Sequence, residues 1–160
     1  MTPLPTHLAH MAGHVIDWLV NRDAVEFVEV VQGDGYLEER PNFRPGFEGD
    51  SGIVGWYCAN FMAGTIGERV NTGAEQVVYQ AMQVEGNWFN ELLTSEHDLN
   101  SFRLLASRRL AAGDFARDLF RAEQAIRDYL WRVDWDRLER VLLNDGSVRI
   151  YRDDLNITLH

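Results

Sequence analysis

The chain has a single cysteine, Cys58, among its 160 residues. No internal disulfide can therefore form, and stability must come from a packed core, for which this length suffices. It also lacks any apolar run approaching the roughly 18 residues of a membrane-spanning helix. The first residues show no basic segment followed by an apolar stretch, so no secretory leader is expected. Together these absences point to a cytosolic protein with no membrane partner. Positive charge is scarce: 15 basic residues face 25 acidic ones, for a net charge of −10. Binding nucleic acid through its phosphates needs the opposite balance, so no nucleic-acid partner is expected. The acids are spread along the chain, as on a solvated surface. Low-complexity segments, long linkers and internal repeats are absent, which implies one domain over residues 1–160.

What is present is mostly helical pattern. Leu8, Val15, Ile16 and Leu19 recur at helical spacing, which predicts a first helix over about Thr6 to Leu19 with Thr6 as its cap. The following "AVEFVEVVQGDGYLEERP" changes period. Val25, Phe27 and the run Val28 to Val31 are β-prone, "GDG" signals a turn, and a second strand is expected around Tyr36 to Glu39. "RPNFRPGFEGDSG" reads as a loop that could cover a site. A small-residue helix, "IVGWYCANFMAGTIGERV", comes next. A further helix is expected over "GAEQVVYQAMQVEGNWFNELL", with Gly86 as a possible interruption. "SEHDLNSFRLLASRRLAA" opens with a serine cap and acids and ends in arginines before Gly113. Another helix follows with Asp114 as its cap, then "DWDRLERVLLNDG", stopped at Asn144 to Gly146. The tail reads as a strand or a short helix. The fold class is mainly α (α+β), with a small β hairpin or sheet after the first helix.

The segment with the most chemistry is "LAHMAGHVIDWLV". His10 and His14 are four residues apart, so a helix presents both imidazoles on one face, where they can share a metal ion. In the HExxH pattern a glutamate follows the first histidine and takes a proton from water. Here that position is Met11, whose thioether is no base at neutral pH.

The order of motifs resembles the FtsH-type zinc metallopeptidase domain. "HMAGHVIDWLV" is similar to the family's HEAGH helix, and "VEFVEVVQGDGY" to the short β segment after it. "NFMAGTIGERV" is similar to a helix with the pattern "GGRAAEE", with Ala63, Gly64 and Glu68 in the corresponding places. "SEHDLNSFRLLASRRLA" resembles the segment that begins near "AENDL" and carries the third metal ligand, here Asp98. The resemblance implies a freestanding domain of that fold, with zinc held by His10, His14 and Asp98 and with Glu68 orienting a ligand from behind. A competing register sets "NTGAEQVVYQAM" against the family's "TTGAENDLEQAT", which would put Val77 at the ligand position and lose the ligand.

The remaining candidates read as follows. His97 is a possible ligand or proton carrier, His7 and His160 are bystanders, and Cys58 and the five tryptophans are packing residues. Asp17 and Glu96 are the groups that could replace the missing base. Three functions stay open. One is a divergent peptidase-like protein without ordinary peptidase activity that binds a peptide or protein partner. Another is an active zinc peptidase with a non-standard base. The third is an acidic helical interaction domain without metal.

Overall fold

The computed structural model describes residues 2–49, 52–106 and 112–156. His160 and the arginines at the end of "LASRR" lie outside them. Within them the elements run α1 (Thr6–Asn21), β1 (Val25–Gln32), β2 (Leu37–Phe43), α2 (Ile53–Asn71), α3 (Val77–Met82), a 3-10 turn (Trp88–Leu92), α4 (Glu96–Ala106), α5 (Ala112–Tyr129), α6 (Trp135–Asp145), β3 (Ser147–Tyr151) and a last 3-10 turn (Arg152–Leu155). The class is mainly α with a small antiparallel sheet, as expected. No helix of the described residues is long and apolar enough to cross a membrane.

Helix α1 is the centre of the molecule. Leu8, Ala9, Met11, Ala12, Val15, Ile16, Trp18 and Leu19 are all buried, so α1 is covered on every side. It has no side-chain cap: Thr6 is its first helical residue, and the Pro5 carbonyl accepts from the Leu8 and Ala9 amides. Proline suits this place because it fixes φ and offers no amide that would go unpaired.

Helix α2 packs on α1 at backbone contact, which its small residues allow. A Cβ on Gly13 would stand 2.2 Å from the Ala63 carbonyl oxygen, and one on Gly67 would stand 2.4 Å from that of Ala9. Helix α5 closes over the pair, burying Phe115, Leu119, Ala122 and Ile126.

The sheet has the order β2-β1-β3, with both pairings antiparallel. Val25, Val28 and Val30 of β1 face the core. The tail supplies both of its readings, β3 and then a 3-10 turn. Strand β2 is longer than expected. It continues through Pro41 to Phe43, because β2 is an edge strand and an edge tolerates a residue without an amide proton. Of the expected loop, residues 50 and 51 lie outside the described residues, and residues 44–49 line neither of the two cavities described below. Phe47 stacks between Phe43 and Trp56, closing the far end of α1 near Trp18.

The long helix expected over residues 73–93 is also absent. Gly73, Gln76 and Gly86 take positive φ, which a right-handed helix cannot contain. Only α3 and a 3-10 turn form. The α3 N-terminus is instead held from outside: the Val77 and Val78 amides donate to the Glu123 carboxylate at 3.1 and 2.8 Å. Arg127 in turn bonds both Glu123 and the Ala74 carbonyl. Gly113 and Asp114 are already helical, as the second and third described residues of α5. The last helix is capped as its sequence suggests. The Asp134 side chain accepts from the Arg137 amide, and Gly146 ends α6 at φ 78°.

Gly13→Ala tests the α1–α2 contact. The added methyl meets main chain, which cannot rotate away, so a loss of about 3 kcal/mol or more is expected in chemical denaturation. A loss below about 1 kcal/mol would mean that the two helices separate readily.

Candidate metal centre

The second and third turns of α1, the C-terminal half of α2 and the first turn of α4 bring the predicted residues together. His10 and His14 project from one face of α1 toward α2. Asp98 stands in the first turn of α4, where its amide donates to Ser95 Oγ at 3.4 Å, the serine cap expected there. His10 Nε2 lies 3.0 Å from Asp98 Oδ2, His14 Nε2 lies 3.2 Å from the same oxygen, and the two Nε2 atoms are 3.1 Å apart. These three groups form a set that could hold a metal ion. The triangle has the right size: donors about 2.0–2.1 Å from a tetrahedral ion are roughly 3.3 Å from one another.

The outer nitrogens are already occupied. His10 Nδ1 is 3.1 Å from Glu68 Oε2, and His14 Nδ1 is 2.7 Å from the Asn60 carbonyl oxygen. Both partners are acceptors, so each Nδ1 carries a hydrogen and donates it. In the neutral rings each Nε2 then presents a lone pair inward. Asn60 is itself fixed, donating to the His14 carbonyl and to Asp17 at 3.0 Å each. Gly64 completes the wall: a Cβ there would stand 2.5 Å from His10 Nε2 and His14 Nε2. The glycine expected from the motif order is thus required by the imidazoles packed against it.

Burial sharpens the electrostatics. His14 and Asp98 are 2 % and 6 % exposed. Burial alone would lower the pKa of each histidine. The Asp98 carboxylate, with the Glu39 charge and the Asn60 hydrogen bond adding to it, overrides this and raises His14 to about 10, and Asp98 with Glu68 also raises His10. Burial opposes ionisation of Asp98, yet the two imidazoles hold it well below the usual carboxylate range. The cluster therefore attracts positive charge, whether a proton or a metal ion.

Two cavities border it. One of about 520 Å³ is lined by His7, His10, Met11, Glu39, Glu68 and Asp98, among others. Another of about 430 Å³ is lined by His14, Trp18, Glu39, Asn60, Asp98 and Leu105, among others. They meet at Glu39, His97 and Asp98.

The other candidates sort by position. Met11 is 1 % exposed and reaches the first cavity without offering a titratable group. Val77 is buried at the start of α3, held by Glu123, and is no part of the cluster. Asp17 is not available as a base: it lies behind His14 and accepts from Asn21 and Asn60, with burial raising its pKa. Glu96 is exposed and lines neither cavity. His97 stacks on Tyr36 with ring centroids 4.2 Å apart and lines both cavities without joining the triangle. His7 pairs with Glu139 at 2.5 Å on the rim of the first cavity. Cys58 is fully buried, which pushes its thiol up to about 11, consistent with packing.

Glu39 and Asn60 escaped the sequence reading. The signal for Glu39 is its alternation with Leu37 and Pro41, which shows only in a strand that continues past Glu39. Asn60 gave none, since its role depends on helix packing. A scan against protein-family models finds no match, and neither does a search of curated proteins.

The charge pairing has a pH signature in metal-free protein. His14 holds its proton more tightly folded than unfolded. That stabilisation is present in full below the ordinary pKa of 6.5 and is lost as pH rises through about 10. Asp98 contributes in the opposite sense, above its ordinary 3.8, and its share is lost on acidification. Thermal melts of chelator-treated protein should show Tm falling from pH 6.5 toward pH 10. The same scan of Asp98→Asn should be flatter. A wild-type curve as flat as the variant's removes the charge-pairing account.

Proposed function

We propose that the protein is a divergent zinc metallopeptidase-like domain of the FtsH type, in which His10, His14 and Asp98 hold the metal and a groove beside them binds an extended peptide segment. The observation that carries the reading is the convergence of three donor atoms, each 3.0–3.2 Å from the others, with both outer imidazole nitrogens already donating elsewhere. Two imidazoles and one carboxylate suit zinc, and three protein ligands leave a position open to water or substrate. When bound, the ion would act as a Lewis acid there. Glu68 and the Asn60 carbonyl then hold the imidazoles in the orientation that coordination requires.

The peptide part of the reading is supported by β2. No strand pairs with its outer edge among the described residues, and Leu37, Glu39 and Pro41 line the cavities on either side of the cluster. An unpaired edge next to an apolar-lined groove suits an extended chain, which adds main-chain hydrogen bonds as a further strand does. Met11 leaves the ordinary HExxH hydrolysis without its base, so binding does not imply that reaction.

Elemental analysis of the purified protein tests the metal site. One zinc per chain is expected. Asp98→Asn should lower its affinity by a hundredfold or more, and His14→Ala should abolish stoichiometric binding. Uptake should release protons, since the imidazoles must give theirs up; calorimetry in buffers of different ionisation enthalpy measures this. Protein that neither retains zinc on purification nor takes it up at micromolar concentration would refute the reading.

A further inference from the structure

Position 11 has no proton acceptor, but other carboxylates lie in and around the cleft, and their engagements differ. Glu68 is hydrogen-bonded to His10, Asp17 to Asn60 and Asn21, Glu38 to Arg40, and Glu139 to His7. Each therefore has a structural task. Glu39 differs. No other residue hydrogen-bonds its carboxylate among the described residues.

Its placement follows from the sheet register. Glu39 lies opposite Val30 across the antiparallel β1–β2 pair, and such partners share one face. Val30 is fully buried, so Glu39 is on the inner face, toward the helices, while Glu38 and Arg40 alternate to the other. It lines both cavities where they meet beside Asp98. It is not one of the groups whose donor atoms all lie within 4.8 Å of one another, so it stands outside the ligand triangle. A carboxylate on the wall of the site, outside the ligand triangle and with no hydrogen bond from another residue among the described residues, suits a group that acts across one water molecule.

We propose that Glu39 is the catalytic carboxylate of this site, taking up from β2 the role that Met11 leaves empty, and that the protein is an amide hydrolase. The proposal rests on the zinc reading above. In the step, water gives a proton to the Glu39 carboxylate while its oxygen forms a bond to the amide carbonyl carbon, whose π pair moves onto the carbonyl oxygen. That pair then re-forms the carbonyl as the carbon–nitrogen bond breaks with its electron pair on nitrogen, and Glu39 passes the proton to that nitrogen. One water is consumed, one carboxylic acid and one amine are formed, and Glu39 returns to its carboxylate form. The substrate class is an unfolded polypeptide segment lying along β2, whose carbonyl is brought over the junction of the cavities.

The test uses the full chain loaded with zinc and unfolded, fluorescently labelled casein as probe, with zinc stoichiometry measured on every variant. Wild type should release peptides. Glu39→Gln should lower the rate by about a hundredfold or more while still binding one zinc per chain. Glu39→Asp, which keeps a carboxylate but withdraws it, should fall between them. Retained zinc shows that each variant has folded around an intact centre. Zinc-loaded wild type that cleaves nothing overturns the catalytic proposal and leaves the metal site standing. Glu39→Gln within a few-fold of wild type overturns it as well. Loss of zinc in Glu39→Gln would make the residue a ligand and also overturn it. Wild type that binds no zinc overturns the metal reading, and this proposal with it.

Discussion

Two imidazole nitrogens and a carboxylate oxygen, each about 3 Å from the others in a buried pocket, need positive charge among them. With both Nδ1 atoms donating outward, the inward lone pairs would face one another and an anion without compensation. A proton relieves this in the metal-free protein, as the raised histidine pKa values express. A divalent ion relieves it more completely, because it can accept all three lone pairs at once. Much of the structure around α1 can be understood as the framework that keeps this triangle closed.

That framework is built from close backbone approach. Gly13, Gly64 and Gly67 let α1 and α2 touch without intervening side chains. The same approach brings the Asn60 carbonyl to His14 and makes room for both imidazoles. Asp98 is delivered from a different part of the chain, at the start of α4. A carboxylate in a first helical turn is also favoured by the helix dipole. The site is thus assembled across a helix–helix contact and a helix terminus, both of which resist small displacements. The sheet contributes its edge, since β2 forms a wall of the cleft and no strand among the described residues pairs with its outer side.

Several of these features are legible in the sequence. Helical spacing located α1, small residues marked α2 as a close-packing helix, and the order of motifs brought His10, His14, Asp98 and Glu68 into one proposal. His10, His14 and Asp98 lie within 3.2 Å of one another, and Glu68 reaches His10. The failures have specific causes. The helix expected over residues 73–93 ignored that Glu123, 46 residues from Val77, would capture the α3 amides while neighbouring residues turned to positive φ. A second strand over Tyr36 to Glu39 leaves Pro41 in the loop, although an edge strand accepts it. Asp17 and Glu96 were natural substitutes for the missing base by sequence distance, but distance along a helix does not say which face looks into the cleft.

The sequence by itself determined the periodicities, the two histidines on one helical face, the lone cysteine, and the methionine where a base would be expected. These depend only on residue type and local spacing. Tertiary structure decided which carboxylates face the imidazoles, which are tied up elsewhere, and that Glu39 reaches the cleft. Those outcomes depend on strand register and on packing between segments far apart in the chain. A one-residue shift of β2 would have turned Glu39 to the opposite face, and nothing in its immediate neighbours prevents that shift. The pairing with β1 does, because it places Glu39 opposite the buried Val30.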